Sequence, residues 1–194
     1  MATAFTQQKR SLIRKRLEEA AMERAAAVGM RRTTVEELSR QVGISKGMFY
    51  SFFESKEQLF FEVLSSLHEE MYGGAERVLK REAGGSVRER TARAIYEALY
   101  VLERRGLIGF VVCDVPVLLG DMPPELVARR YRSDEERIRA LLHGSGARLS
   151  TDIDTTCAAI RMLLFTLLNK RQIGEKYDMA LQALVDGACR VLIC

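Results

Sequence analysis

At 194 residues, 47% apolar and 29% charged, the chain has the balance of a folded globular protein and is long enough to bury a core without disulfide or metal staples. No basic start leads into an apolar run of signal-peptide length, and the longest apolar run, Cys157 to Leu168, is broken by Arg161 and too short to span a bilayer. The net charge of +4 is unevenly placed: residues 1–56 hold 11 Lys/Arg against 6 Asp/Glu, net +5, whereas the remainder holds 19 against 20, net −1, as expected if the first part alone meets a polyanion.

The first helix is marked by Ile13, Leu17, Ala20, Ala21, Ala25 and Val28 at spacings of three and four, and Gly29 stops it. Thr33-Thr34-Val35-Glu36 then has the form of a capping box, with the Thr33 hydroxyl expected to cap a short helix running to Gln41 or Val42. Gly43 interrupts, and Ser45 caps a third helix carrying Lys46, Phe49, Tyr50 and Phe52. Ser55-Lys56-Glu57-Gln58 opens a long fourth helix in which Gly73-Gly74 threatens a kink or stop.

Ser86-Val87-Arg88-Glu89 caps a helix running to about Arg105. An apolar stretch from Leu107 to Leu119 ends at Gly120, and Pro123-Pro124 starts a helix reaching about His143. Two last helices are expected over 152–172 and 175–192. With no sustained period-two alternation, the fold class is all-α with about nine helices: a helix-turn-helix domain over residues 1–56, then a helical body over 57–194.

The second and third helices have the spacing of a helix-turn-helix. Counting from Val35, the fifth position is small (Ser39), where the helices cross closely, and the ninth is Gly43, where a positive φ is needed. Leu38, Val42, Ile44, Phe49 and Phe52 supply the inward positions.

Thr33-Thr34-Val35-Glu36-Glu37-Leu38, then Gly43-Ile44-Ser45-Lys46-Gly47-Met48-Phe49-Tyr50, then Phe53 and Ser55-Lys56-Glu57, resemble the N-terminal domain of the TetR family of bacterial repressors. The resemblance covers roughly residues 13–64; beyond it the chain is similar only in being helical and of suitable length. Ala25, Ser39 and Met48 depart from the pattern, where a larger aromatic, an alanine and a small hydroxyl residue are common.

The resemblance implies a cytoplasmic bacterial regulator that binds double-stranded DNA. Its expected DNA-binding residues are Thr33, Thr34, Ser45, Lys46, Gly47, Met48, Tyr50, Ser51 and Lys56. Physical roles agree with that set: helix N-terminal amides near Thr33 favour a phosphate, Lys46 and Lys56 supply charge, Gly47 permits close approach, and the Tyr50 hydroxyl can reach a phosphate.

A lone helix-turn-helix contacts too few base pairs for genomic specificity, so a homodimer on a palindromic operator is expected. In the family two C-terminal helices meet their symmetry mates as a four-helix bundle, which implies an interface from the apolar stripes of the last two helices: Ile160, Leu164, Leu167 and Leu168, with Leu181, Leu184, Val185 and Ala188. The helices between are then expected to enclose a small, largely apolar effector, with Tyr96, Tyr100, Phe110, Cys113, Met162 and Phe165 as candidate lining. Release from DNA by that ligand makes the expected function a repressor; an activator, or a repressor without a ligand, is the alternative.

Catalysis is not expected. There is no P-loop and no G-x-G-x-x-G, neither His68 nor His143 has a Ser or Cys partner in a nucleophile motif, and charge-mixed runs such as Asp134-Glu135-Glu136-Arg137 read as solvated helix faces. Cys113, Cys157, Cys189 and Cys194 form no C-x-x-C pair and read as core fillers, so neither metal nor cofactor is expected.

Overall fold

The computed structural model describes residues 2–81 and 84–194, the side chains of 2–5 and 81 excepted. It is all-α, with no strand among the described residues. Among the described residues ten α-helical segments follow in order: α1 (Ala2–Ala27), α2 (Val35–Val42), α3 (Lys46–Phe49), α4 (Lys56–Arg81), α5 (Val87–Arg105), α6 (Val115–Gly120), α7 (Pro124–Gly144), α8 (Ile153–Thr166), α9 (Lys170–Ile173) and α10 (Tyr177–Leu192). Since α3 and α9 are single turns of four residues, eight segments are substantial helices.

The chain divides into two compact units whose bounds differ from the expected break at residue 56. The first comprises Met1–Leu67 with Gly109–Asp121, the second His68–Ile108 with Met122–Cys194. The physical reason lies in α4, whose opening turns bury Leu59, Phe60, Val63, Leu64 and Leu67. Phe110 returns to that core, its ring 5.8 Å from that of Phe60.

In the first unit, Leu17, Ala20, Ala21 and Ala25 of α1 are buried at the spacings read from the sequence. They form the core with Leu38 and Val42 of α2, Phe49 of α3 and Phe53. Gly29 leaves α1 at φ +86°, a left-handed conformation open to glycine and strained for other residues. The segment 110–120 opens with a turn of π-helix, Phe110–Asp114, before α6. Pro116 lacks an N–H and crowds the preceding turn, which accounts for the widened geometry.

In the second unit, α10 packs along α5 and α8, and α7 packs on α8. Ile95, Leu99 and Leu102 of α5 are buried with Tyr177, Val185 and Cys189 of α10. The capping box at Ser86 forms with Glu89, and Asp152 caps α8 by accepting from the Thr155 amide at 2.8 Å. Gly73 and Gly74 do not interrupt α4. Instead Gly74 admits the Glu97 side chain of α5: a Cβ there would come within 3.1 Å of Glu97 Cγ. The chain end is tied by the Cys194 amide donating to the Arg148 carbonyl at 2.8 Å and by Arg88 Nε donating to the Ile193 carbonyl at 2.7 Å.

Asp134 corrects the reading of its run as a solvated face. It is buried, with His68 Nδ1 at 3.1 Å and an Arg130 nitrogen at 3.4 Å. Burial alone would raise its carboxyl, but the His68 hydrogen bond and charge, then Arg130 and the Tyr72 hydroxyl, outweigh it and hold the group below its ordinary 3.8. The run faces inward at one residue in four because helix periodicity, not local composition, decides which position meets α4.

Candidate functional site

The helix-turn-helix is framed by local caps and one long-range clamp. The Thr34 hydroxyl accepts from the Glu37 amide at 3.2 Å, while the Glu37 carboxylate accepts from the Thr34 amide at 2.9 Å. The capping box therefore sits one residue later than expected, because α2 begins at Val35 and its third position is Glu37. Thr33 is consequently buried, its hydroxyl donating to the Gly29 carbonyl at 2.9 Å, so it is not on an accessible phosphate-binding face.

Gly43 takes φ +77° and closes α2, as the turn requires. Ser45 caps α3 by accepting from the Met48 amide at 3.1 Å. Phe49 is fully buried, so the rest of the α3 turn is set by that anchor: Lys46, Gly47, Met48, Tyr50 and Ser51 all face outward, Met48 46% and Tyr50 48% exposed. Nothing stands within 4 Å of a Cβ at Gly47 except the Ser45 hydroxyl oxygen at 3.9 Å, which leaves this face low and open. Ser39, at the close crossing of α2, is buried, and its hydroxyl has no hydrogen-bond partner among the described residues.

Lys46 and Lys56 differ in their surroundings. Lys46 is exposed and pairs with Glu36 on α2, and this bond lowers the Glu36 carboxyl while raising the Lys46 ammonium. Lys56 is largely buried and donates to the Met30 carbonyl at 3.2 Å. The Met30 amide in turn donates to the Asp114 carboxylate at 2.7 Å. Both polar groups of the Met30 peptide are thereby held by side chains distant in sequence, and the loop entering α2 is fixed. Asp114, which no local pattern marks, is the buried acceptor in this clamp.

Arg10 of α1 is a second residue that the sequence reading passed over. It donates to the Ser51 carbonyl at 3.0 Å and lies over the Phe52 ring, 4.7 Å from its centroid. Arg14 lies likewise over Phe53 at 4.5 Å and bridges to Glu62 at 3.0 Å. These arginines hold the turn after α3 from its outer side and place positive charge beside the exposed face. The basic periodicity of α1 carried that signal.

In the second unit, a groove of about 380 Å³ is lined by Tyr96, Tyr100, Val78, Leu99, Leu167 and Leu181 together with charged side chains. Only two of the six candidate effector-lining residues, Tyr96 and Tyr100, meet there. Phe110 is buried in the first unit and Cys113 is exposed in that unit. Met162 and Phe165 project outward from α8, 70% and 55% exposed. The candidate dimer residues also separate. Leu167 and Val185 are buried in the monomer and Leu181 lines the groove, whereas Leu168 and Leu184 are exposed; Ile160, Leu164 and Ala188 are half-buried. Met162, Phe165, Met179 and Val191 extend the exposed apolar surface of α8 and α10.

Among the described residues no group of three or more His, Cys, Asp and Glu could hold a metal ion, and no helix is long and apolar enough to cross a membrane.

Residues 17–63 match the model of the bacterial regulatory proteins of the tetR family. No curated protein matches the sequence. Among solved structures, the chain is similar to a TetR family transcription regulator from Marinobacter aquaeolei VT8, at 21% identity and TM-score 0.67 over 96% of this chain and 98% of that one. A tetR-family regulatory protein from Rhodococcus RHA1 gives 18% identity and TM-score 0.67, covering 94% and 97%. The ketosteroid transcriptional regulator of Mycobacterium tuberculosis gives 18% identity and TM-score 0.60, covering 93% and 95%. Residues 17–63 are therefore a TetR-family N-terminal domain, and the chain as a whole has the fold of TetR-family transcription regulators.

Proposed function

We propose that the protein is a cytoplasmic repressor that binds a palindromic operator as a homodimer and is released when a small, largely apolar molecule occupies its second unit. The observation that carries DNA binding is the exposed face of Lys46, Gly47, Met48, Tyr50 and Ser51 on a turn anchored by fully buried Phe49. A positively charged, low-profile helix on a rigid frame suits entry into a major groove. Thr34 and Ser45 lie beside it with free access to a phosphate backbone, whereas Thr33 and Lys56 serve the frame.

The exposed apolar surface of α8 and α10 supports dimerisation, because a monomer gains nothing by holding Phe165, Met162, Leu184 and Val191 in water. A dimer would present its two α3 turns to successive major grooves, about 34–36 Å apart or a multiple of that. Helix α4 contributes residues to both units, so a ligand that prefers one pose of α4 would alter that spacing. Coupling of about 1–3 kcal/mol would weaken operator binding roughly 5- to 150-fold, and operator would weaken ligand binding by the same factor. A largely apolar effector is consistent with the aliphatic wall of the groove and with the presence of a ketosteroid transcriptional regulator among the similar structures.

Fluorescence anisotropy of labelled DNA from upstream of the protein's own coding region tests the reading. Saturable binding that collapses to a two-fold-symmetric site, and weakens with added ligand, is the expected result. Binding no tighter than to random duplex would overturn it.

A further inference from the structure

The positive charge of the first unit is concentrated in α1 and not in the helix-turn-helix. Residues 1–17 contain five Lys/Arg (Lys9, Arg10, Arg14, Lys15 and Arg16) and no Asp or Glu, whereas residues 18–56 contain six of each sign. The α3 turn is itself balanced, since its Lys46 pairs with Glu36. On α1, Arg14 is paired with Glu18 and Glu62, and Lys15 with Glu19. Lys9, Arg10 and Arg16 have no carboxylate partner among the described residues.

Every residue from Thr6 to Leu12 is exposed, and among the described side chains of α1 the first buried one is Leu17. About two turns of helix therefore run past the core with nothing of this chain covering them. A helix wetted on all sides gains no burial, and like charges four apart, such as Arg10 and Arg14, weaken it further. Arg10 joins this overhang to the face of α3, because its guanidinium donates to the Ser51 carbonyl at 3.0 Å. That bond uses one of five N–H donors and leaves the others for an anion. Lys9 stands beside Arg10, and Arg16 lies on the same side of α1 as Lys9, about 10 Å along the axis.

Charge and shape select the partner. A lipid surface needs a wide apolar stripe, and residues 6–16 offer only Leu12 and Ile13 as large apolar side chains. A duplex held by α3 brings its own row of phosphates to Ser51, where Arg10 already lies. We propose that the overhanging turns of α1 are a second DNA-contacting element, in which Lys9, Arg10 and Arg16 bind phosphates flanking the groove entered by α3 and supply more of the salt-dependent attraction than the balanced α3 turn. This rests on the reading of the protein as a DNA-binding regulator and adds to it the element that carries the electrostatic part.

Anisotropy of labelled operator and of random duplex across a salt series, with the full-length protein, tests this. Lys9→Gln/Arg16→Gln removes two charges that hold nothing in the fold, so its circular dichroism and melting temperature should match the parent. Its slope of log affinity against log salt should fall by about two units, against about one for Lys46→Ala, and its affinity at about 0.1 M salt should drop at least about tenfold for both duplexes alike. Arg129→Gln/Arg132→Gln takes the same charge from exposed positions of α7 and should leave the slope unchanged. An unmoved slope in Lys9→Gln/Arg16→Gln, an equal fall in the α7 variant, or a loss confined to the operator would overturn the role of α1. So would a loss of binding to phosphatidylglycerol vesicles with duplex affinity intact. A parent protein that binds no duplex removes the DNA-binding reading as well, whereas a parent that binds with a slope the α1 variant does not move leaves that reading standing and removes only this element.

Discussion

The two units use the same material differently. In the first, every large apolar side chain of α2 and α3 that points inward is consumed by one small core, and the large apolar side chains left exposed on α3 and the residue after it are Met48 and Tyr50 alone. In the second, apolar side chains exceed what the monomer buries, and the excess appears as an exposed surface on α8 and α10 and as the wall of a groove. A rigid frame presenting a few side chains suits recognition of a stiff polyanion, whereas surplus apolar area suits a partner helix or a small molecule. The contrast teaches that in such a chain the informative residues are exposed in one unit and concave or surplus in the other.

The largest expected effect breaks the first side of the comparison. Phe49→Ala empties a fully buried site and should destabilise the first unit by about 3–5 kcal/mol, abolishing operator binding. Hydrogen exchange should show lost protection in residues 1–67 with α5 and α10 still protected; uniform loss would mean that the units do not behave as distinct bodies.

Leu184→Arg attacks the other side. It removes nothing from the monomer core, since Leu184 is exposed, but places a charge on the apolar surface of α10. Sedimentation should shift from dimer to monomer at micromolar concentration, with operator affinity falling by about 100-fold or more as one half-site is lost. An unchanged dimer would remove α10 from the interface.

Lys46 and Lys56 sharpen the comparison within the first unit. Lys46→Ala should weaken binding to every duplex and lower the salt slope by about one unit. Lys56→Ala should instead cost about 1 kcal/mol of stability through the lost bond to Met30 and leave the slope unchanged. A reduced slope in Lys56→Ala would restore it as a phosphate contact.

Asp134 gives the second unit a signature in acid. Its carboxyl is held below 3.8 in the folded protein, so its contribution to stability is complete above that value and is lost as pH falls beneath it. Thermal melts should show that Asp134→Asn removes this part of the acid destabilisation. An identical pH profile in variant and parent would mean that His68 and Arg130 do not favour the charged form.

The smallest effect is Ser39→Ala, which deletes a buried hydroxyl without a partner and should raise the melting temperature slightly, by an amount equivalent to about 1 kcal/mol or less. A fall would reveal a hydrogen bond to water at the helix crossing.

The sequence by itself determined whatever short-range chemistry decides: the all-α class, the turn at Gly43, the caps at Ser45 and Ser86, the start of α7 at Pro124, and the burial of Leu38, Val42 and Phe49. Each depends on residues within about one helical turn, so spacing suffices to read it. Even there the reach is one residue short at Thr33 and Thr34, two adjacent hydroxyls with two adjacent glutamates, where the start of α2 alone selects the pair. Tertiary structure decided the rest. An apolar stripe says that a face is covered but not by what, so Leu167 and Leu168 look alike in sequence while one fills the core and the other meets solvent. Phe110 left the expected pocket for the core around Phe60, and Asp114 found the Met30 amide 84 positions away. Those partners are fixed by the path of the whole chain, because burial and pairing at a distance depend on where the backbone returns and not on what stands beside a residue in sequence.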